Sequence, residues 1–230
     1  MALKRKPPKG NVRRVHSNGK TITGVISNHQ NELVQFESAS EQILPIIFMR
    51  DKSIVRLVSQ PIEIPFIDAT GKTHKYTPDY LVEKENGVIE IHEFTMSNRR
   101  ISKQCLDREN AAKQYCKDKG WQYFVHTEID FEDKTWNENL QALFGFLADC
   151  YRNEEISEMI FTHIRYYGKT TYSLLYSKFV EELGINKQLF TESILHLIYL
   201  KELGTDLHQP IFIFGDINPK MELWIPEKWE

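Results

Sequence analysis

The chain has 230 residues, a formal net charge of −3 and a hydrophobic fraction of 41%. This length and composition indicate one large or two small packed domains and exclude an intrinsically disordered chain. No apolar run approaches the about 18 residues that a membrane-spanning helix needs, so no membrane association is expected. The charged N-terminus lacks the apolar region of a secretory signal, and Cys105, Cys116 and Cys150 have no disulfide or zinc-site spacing. We therefore expect a reducing, cytoplasmic location.

The first 30 residues form a basic arm. Residues 1–31 contain seven Lys or Arg residues and no Asp or Glu. A local cluster of positive charge on a mildly acidic body suits contacts with nucleic-acid phosphates, and Arg13 and Arg14 are the candidates within it. The alternative is a solvated tail. The Asn18-Gly19 pair near the end of the arm predicts a turn, which a hairpin in this stretch would use.

A helix is expected over residues 38–50. Ser38 or Ser40 would cap its N-terminus, and Glu41 would lie in its first turn. Pro45 is unfavourable in a helix interior, because proline lacks the backbone N–H and its ring clashes with the preceding turn. The helix must therefore start late or kink at this residue.

Short β-branched runs then predict a series of strands, namely Ile54–Val58, Ile62–Phe66, Asp79–Glu83 and Val88–Thr95. The Asn86-Gly87 pair before the last of these is a strong hairpin signal, because it tolerates the positive φ of a type I′ turn. A helix over residues 102–119, ended by Gly120, and a strand at Tyr123–Val125 follow. The sequence therefore predicts a mixed α/β core.

The rest of the chain is predicted to be mainly helical. After an acidic segment at residues 130–139, helices are expected over residues 138–151, 154–166, 170–183 and 187–203. Two short strands, Ile211–Phe214 and Glu222–Ile225, follow them. Helices that close on a two-stranded ribbon resemble a winged helix-turn-helix. The expected organisation is an arm (1–30), an α/β domain (31–150) and a winged-helix domain (151–230).

Three carboxylates of the α/β domain are candidates for a metal-dependent nuclease site. Glu41 comes from the first helix, Asp79 follows a proline at a strand start, and Glu93 lies one hairpin later. The two-residue period of a strand places Glu93 and position 95 on the same face as Ile91. A carboxylate on an apolar face is costly unless it is paired or bound to a cation, and hard ions such as Mg²⁺ prefer carboxylate oxygens. Chance placement of acids at strand ends is the alternative.

Four motifs resemble the TnsA family: residues 34–41 (VQFESASE), 59–61 (SQP), 76–82 (YTPDYLV) and 90–94 (EIHEF). Members of this family are endonuclease subunits of heteromeric cut-and-paste transposons of prokaryotes. They have a restriction-endonuclease-like domain of the PD-(D/E)xK type, followed by a winged-helix domain. The motifs lie within residues 30–130, and the helical tail agrees in architecture only.

The resemblance implies a site and a reaction. Glu41 matches the helical glutamate of the family, Asp79 its central metal-binding aspartate and Glu93 its first strand acid, whereas Glu37 is a weaker match to the helical glutamate. The implied activity is hydrolysis of the 5′ (non-transferred) strand at transposon ends with Mg²⁺, for which Mn²⁺ could substitute. The implied partners are the double-stranded DNA of the transposon ends, a TnsB-like DDE transposase and a TnsC-like AAA+ regulator.

Thr95 departs from the family pattern, which has a catalytic Lys at this position. A lysine there would place a cation beside the developing phosphate charge, often worth about 10²–10³ in rate, and a threonine hydroxyl cannot supply that charge. One hypothesis is a nuclease in which Arg99, Arg100 or Lys103 provides the cation. The other is a degenerate nuclease fold that bridges transposase, regulator and DNA without cutting. For these three basic residues we favour a solvated, DNA-binding edge.

The remaining candidates are weaker. His92 lies on the strand face opposite Glu93 and is expected to be a core or surface residue, not a ligand. The tyrosines of the C-terminal helices are expected to pack in a core and not to stack on bases: Tyr166, Tyr167, Tyr172 and Tyr176. The helix over residues 187–203 carries two lysines against two glutamates, so this domain is predicted to contact protein more than DNA.

Overall fold

The structure is a computed structural model that describes residues 10, 12, 24–27, 33–36, 38, 41–68 and 70–227. Some predicted features lie outside these residues: Arg13 and Arg14 of the basic arm, the Asn18-Gly19 turn, Glu37 and Ser40. The chain divides into two compact units, Met1–Glu132 and Asp133–Glu230. Within the described residues, no helix combines the length and the apolar character needed to cross a bilayer.

The described part of the first unit contains eight strands and three helices. In chain order they are β1 (Gly24–Ser27), β2 (Leu33–Phe36), α1 (Ile43–Met49), β3 (Ile54–Ser59), β4 (Ile64–Ile67), β5 (Thr73–Tyr76), β6 (Tyr80–Lys84), β7 (Ile89–Phe94), α2 (Ser97–Arg100), α3 (Lys103–Lys119) and β8 (Gln122–His126). A short 3₁₀ helix follows at Glu128–Phe131.

Four of these strands form the central sheet, in the order β3-β6-β7-β8. β6 is antiparallel to both β3 and β7, whereas β8 is parallel to β7. A parallel pair needs a crossover connection, which α3 supplies. The antiparallel pairs β1-β2 and β4-β5 lie outside this sheet. The arrangement confirms the predicted mixed α/β core.

A tight turn at Asn86-Gly87 sets the register of β6 and β7. Gly87 has a φ of +80°, and Oδ1 of Asn86 accepts a 3.0 Å hydrogen bond from the N–H of Val88. Tyr80 pairs with His92 across the two strands. The predicted hairpin is therefore confirmed, but its turn is not the expected type I′, because Gly87 has a positive φ and Asn86 does not. The register places residue 79 opposite residue 93 at the end of the paired segment.

α1 begins at Ile43, later than the residue 38 at which the sequence allowed it to start. Pro45 therefore lies in the first turn, where its missing N–H would have no helical acceptor. Ser38 contributes before the helix, since its Oγ accepts a 3.2 Å hydrogen bond from the N–H of Glu41. Of the two options that Pro45 left open, the late start is the one observed.

α3 packs on the strands through one face. Ser102 caps it by accepting a 3.3 Å hydrogen bond from the N–H of Cys105, and Gly120, with a φ of +72°, ends it. Buried residues at helical spacing then meet apolar side chains of the strands: Ala112 those of β4 and β5, and Cys116 those of β6 and β7. The N-terminal half of α3 is thereby held beside the end of β7.

The second unit is mainly helical. In chain order its elements are α4 (Lys134–Phe144), α5 (Glu154–Tyr167), β9 (Thr170–Thr171), α6 (Tyr172–Tyr176), α7 (Lys187–Tyr199), β10 (Phe212–Ile213), β11 (Asp216–Ile217) and β12 (Glu222–Leu223). α6 continues as a π-helix at Ser177–Glu182, and a 3₁₀ turn lies at Asp149–Tyr151. β10 and β11 form an antiparallel hairpin, and β12 pairs with β9.

α4 belongs to the second unit. Leu143, near its C-terminal end, is fully buried in the core that α5, α6 and α7 build. Asn139 of the same helix is also buried, and its Nδ2 donates a 2.8 Å hydrogen bond to the carbonyl oxygen of Leu207. The division after residue 132 therefore places the expected boundary at residue 150 inside the second unit.

The four C-terminal tyrosines do not all lie in the core. Tyr172 is buried and Tyr176 is half-buried, but Tyr166 and Tyr167 are 80% and 69% exposed. The core prediction was wrong for these two, because the apolar face of α5 ends at Ile164 and they occupy the turn beyond it.

Candidate active site

Asp79 lies between β5 and β6 at the end of the hairpin that β6 and β7 form. Its Oδ2 accepts a 2.7 Å hydrogen bond from the N–H of Phe94, the last residue of β7. Its carbonyl oxygen accepts another, of 2.6 Å, from the N–H of Gln60. These two bonds hold the Asp79 backbone beside β3 and its carboxylate beside the end of β7, next to Glu93.

Glu93 is a buried carboxylate, only 9% exposed. Its Oε2 accepts a 2.6 Å hydrogen bond from the hydroxyl of Tyr76. Burial raises the pKa of the Glu93 carboxyl well above its usual value, and the charge of Asp79 raises it further. The Tyr76 hydrogen bond and the charge of Arg108 act in the opposite direction. The protein therefore holds this acid in surroundings that oppose its ionisation unless a cation approaches.

Glu41 was expected in the first turn of the helix, but it precedes α1, because the helix starts late, at Ile43; it is 5% exposed. Its Oε1 accepts a 2.9 Å hydrogen bond from the hydroxyl of Tyr80. Its negative charge also raises the pKa of the Glu93 carboxyl. The structure thus brings all three sequence-predicted acids within electrostatic reach of one another, although they are far apart along the chain.

The chain segment that carries Asp79 and Glu93 is also similar to a known protein family. Residues 51–128 match the family model described as TnsA-like endonuclease N terminal. This domain belongs to the TnsA family. The match includes Asp79, Glu93 and Thr95, whereas Glu41 precedes it. A search of curated proteins finds no match to the chain.

The acids of the TnsA-like domain fit a hard divalent cation in donor type, since all three offer carboxylate oxygens. Burial and the neighbouring negative charges raise the pKa of Glu93, and a bound cation would lower this pKa by stabilising the ionised carboxylate. The side chains are not in the arrangement of a formed metal centre, however. Among the residues that the structure describes, no group of three or more His, Cys, Asp or Glu side chains is placed to hold an ion.

Thr95 occupies the position at which the TnsA pattern has a lysine. It is 9% exposed, and its N–H donates a 2.9 Å hydrogen bond to the carbonyl oxygen of His126. Its Oγ1 lies 4.0 Å from the Sγ of Cys105 on α3. The hydroxyl is therefore turned towards the protein interior, against the first turn of α3, and brings no charge to the acids.

The three basic residues considered as replacements for that lysine have different surroundings. Arg100 is paired with the buried Glu109, through Nε at 2.9 Å and Nη2 at 3.3 Å. Arg99 and Lys103 are exposed. Arg100 is thus engaged in a structural pair, whereas the other two lie at the surface.

Three residues near the acids were not identified from the sequence: Tyr76, Tyr80 and Arg108. A signal existed for the tyrosines, which flank the Thr-Pro-Asp motif, because a phenol hydroxyl that becomes buried usually finds a hydrogen-bond partner. Arg108 had no such signal, since it is one of several basic residues on α3. In the structure its Cζ lies 5.5 Å from the centroid of the Tyr76 ring.

His92 is buried on the other side of β7, as a core residue. Its Nδ1 lies 2.9 Å from Nε2 of His126, and its Nε2 lies 3.2 Å from Oε2 of Glu90. Burial, together with the nearby His126, lowers the pKa of His92 to about 4. The expectation that His92 is a core or surface residue is therefore met by its position in the interior.

Proposed function

We propose that the protein is a DNA endonuclease subunit of a transposase complex, which hydrolyses the 5′ (non-transferred) strand at transposon ends with Mg²⁺ or Mn²⁺. One observation carries the proposal. The TnsA-like segment, residues 51–128, contains both Asp79 and Glu93, and the Phe94 N–H ties the Asp79 carboxylate to the strand end that bears Glu93. An acid pair fixed in this way is what a metal-dependent nuclease of this family requires.

Glu41, Asp79 and Glu93 would hold the metal ion. A divalent cation bound there would neutralise the scissile phosphate and lower the pKa of the attacking water. Each acid has a partner that orients it. The Tyr80 hydroxyl donates to Glu41, the Phe94 N–H donates to Asp79 and the Tyr76 hydroxyl donates to Glu93. These contacts reduce the conformational freedom that the carboxylates would otherwise lose on binding a cation.

The two units of the chain suit two different folds. The first unit, with its mixed sheet and the crossover helix α3, suits a restriction-endonuclease-like domain of the PD-(D/E)xK type. The second unit has α5, α6 and α7 followed by the β10-β11 hairpin, and β12 pairs back onto β9. This order suits a winged-helix domain, preceded here by α4.

The second unit is better suited to a protein partner than to DNA. A groove of about 830 Å³ lies between α7 and the β10-β11 hairpin, and its lining includes the acids Glu181, Glu192 and Asp216 beside Lys187. These carboxylates would repel phosphates. Tyr166 and the fully exposed Phe214 add apolar surface of the kind that protein interfaces bury. The proposed protein partners are a TnsB-like DDE transposase and a TnsC-like AAA+ regulator.

DNA contacts are proposed for the first unit. Arg99 and Lys103 are exposed, and they follow β7, the strand that carries Glu93. Arg13 and Arg14 of the basic arm would add phosphate contacts on the same double-stranded DNA, the transposon end. Arg100 is the weakest of the predicted DNA contacts, because its guanidinium already binds Glu109.

A second candidate function rests on Thr95. Its buried hydroxyl brings no positive charge to the acids, and this favours a degenerate nuclease fold that bridges transposase, regulator and DNA without cutting. The two functions differ in one measurable property, which is metal-dependent cleavage of the non-transferred strand.

The test is cleavage of end-labelled transposon-end DNA by the complex reconstituted with its transposase and regulator. We expect cleavage that needs Mg²⁺ or Mn²⁺ and that Asp79→Ala abolishes. Asp118→Ala is the matched control, because Asp118 is an exposed aspartate of the same unit that accepts a hydrogen bond from Gln114. No cleavage by the wild-type complex would favour the bridging function, and cleavage of the non-transferred strand that persists in Asp79→Ala would overturn the nuclease function proposed for this chain.

A further inference from the structure

α3 packs against β4 and β8, and two of its turns also meet side chains in and just after β7. Cys105 contacts Thr95, and Cys116 packs with Ile91. Arg108 lies between these two turns, one turn after Cys105 on the same face of the helix. The side chain of Arg108 is therefore placed beside Glu93, which lies between Ile91 of β7 and Thr95, the residue that follows the strand.

The contacts of Arg108 confirm this placement. Its guanidinium lies over the ring of Tyr76, with Cζ 5.5 Å from the ring centroid, and the hydroxyl of that same ring donates to Glu93. The side chain is half-buried. The guanidinium makes a side-chain hydrogen bond with Cys105, but its Nε is buried without a hydrogen-bond partner among the described residues. A buried guanidinium donor that is left unused is uncommon, because each one costs free energy.

Phosphate is the kind of acceptor that suits the Arg108 guanidinium. Arginine presents planar, fork-shaped donors that match phosphate oxygens, and its charge persists at every accessible pH. Arg100, by comparison, already donates hydrogen bonds from its Nε and Nη2 to Glu109. Among the basic residues of α2 and α3 discussed above, Arg108 is the one that combines partial burial, an unused donor and proximity to Glu93.

We propose that Arg108 supplies, from α3, the positive charge that Thr95 does not supply from β7, and that it donates to a non-bridging oxygen of the scissile phosphate. This role rests on the proposed nuclease function. It makes Arg108 a catalytic residue of that reaction, and it resolves the departure at Thr95 in favour of an active enzyme.

The experiment compares Arg108→Gln and Arg108→Lys with the control Arg165→Gln. Arg165 is a matched control because its Cζ also lies over an aromatic ring, 5.7 Å from the centroid of Phe161, and it is in the second unit. Single-turnover cleavage by the reconstituted complex is the first measurement. We expect Arg108→Gln to slow cleavage by about 10²–10³-fold, Arg108→Lys to slow it less, and Arg165→Gln to change it by less than about twofold.

The second measurement is Mn²⁺ binding to the full chain without DNA, by calorimetry. Arg108→Gln should bind Mn²⁺ as tightly as the wild type or more tightly, because a positive charge next to the acids is removed. A structural role would instead weaken both Mn²⁺ binding and cleavage. Adding Thr95→Lys to Arg108→Gln should recover cleavage by about tenfold or more, because the lysine returns a cation to the strand position.

Two results would overturn this role. One is cleavage by Arg108→Gln within about twofold of Arg165→Gln, and the other is a parallel loss of Mn²⁺ binding and cleavage. If cleavage depends on Asp79 but not on Arg108, only the role of Arg108 fails. If the wild-type complex does not cut at all, the nuclease function fails and the role of Arg108 fails with it.

Discussion

The hydroxyl of Tyr76 donates a 2.6 Å hydrogen bond to Oε2 of Glu93, and both side chains are buried. The bond joins β5 to β7, two strands that belong to different sheets. It links the motif that contains Asp79 to the strand that carries the second acid. Burial raises the pKa of Glu93, whereas the Tyr76 hydroxyl lowers it, because its hydrogen bond stabilises the ionised carboxylate.

Tyr76→Phe should raise the pKa of Glu93 further and cost about 1–3 kcal/mol of unfolding free energy, because a buried carboxylate loses its donor. Metal binding requires an ionised Glu93, so the acidic limb of the pH–rate profile of cleavage should move to higher pH. Tyr115→Phe is the control, since it removes a phenol hydroxyl from another tyrosine of the same unit, whose ring packs on Trp121. An unmoved profile in Tyr76→Phe would show that Glu93 does not titrate in the reaction.

Asp79→Asn should stabilise the metal-free protein while it abolishes cleavage. The asparagine oxygen can still accept from the Phe94 N–H, but the charge that raises the pKa of Glu93 is gone. We expect the free energy of unfolding at neutral pH to rise by roughly 1 kcal/mol. Chemical denaturation without metal measures it, with Asp118→Asn as the control. A fall in stability would mean that the repulsion between Asp79 and Glu93 is not felt in the folded protein.

His92 should make the protein less stable as the pH falls. Its folded pKa is about 4, below the usual 6.5, so between these pH values the unfolded chain binds a proton that the folded protein excludes. The contribution of neutral His92 to the free energy of unfolding is fully present above pH 6.5. It falls progressively as the pH decreases to 4, by about 3 kcal/mol in all. Urea unfolding at several pH values measures this loss. The difference in unfolding free energy between wild type and His92→Gln should become smaller as the pH falls. A constant difference would contradict the lowered pKa of His92.

Arg99 and Lys103 should contribute phosphate contacts. The double variant Arg99→Gln/Lys103→Gln is expected to weaken binding to transposon-end DNA at low salt, and to flatten the logarithmic dependence of affinity on salt by about one unit per lost contact. The control removes two exposed charges from the far end of α3, Lys117→Gln/Lys119→Gln. If the salt dependence of DNA affinity has the same slope in the two double variants, Arg99 and Lys103 do not contact the DNA phosphates.

Much of the first unit followed from local sequence. The Asn86-Gly87 pair predicted the hairpin, and the late start of α1 was one of two outcomes that Pro45 allowed. The proposal of Asp79 and Glu93 as site residues also came from the motif and the strand period. These features depend on residues close together in the chain, for which turn chemistry and strand periodicity are informative.

Local patterns were less informative where packing between distant segments decides the outcome. The helical period of α5 continues through Tyr166 and Tyr167, but the core ends before them. The predicted helix at residues 138–151 stops at Phe144, and the division between the units comes before it, because α4 packs into the second core. Neither result can be read from the residues within one element.

The candidate acids, and the lack of a basic side chain at position 95, are evident from the residues alone. The groups around these acids are known only from the folded chain: the Tyr76 hydroxyl on Glu93, the Tyr80 hydroxyl on Glu41, and the Arg108 guanidinium over the Tyr76 ring. This is because a charge acts through space. The groups that set the electrostatics of Glu93 come from separate elements, and only packing α3 against the strands places Arg108 beside it.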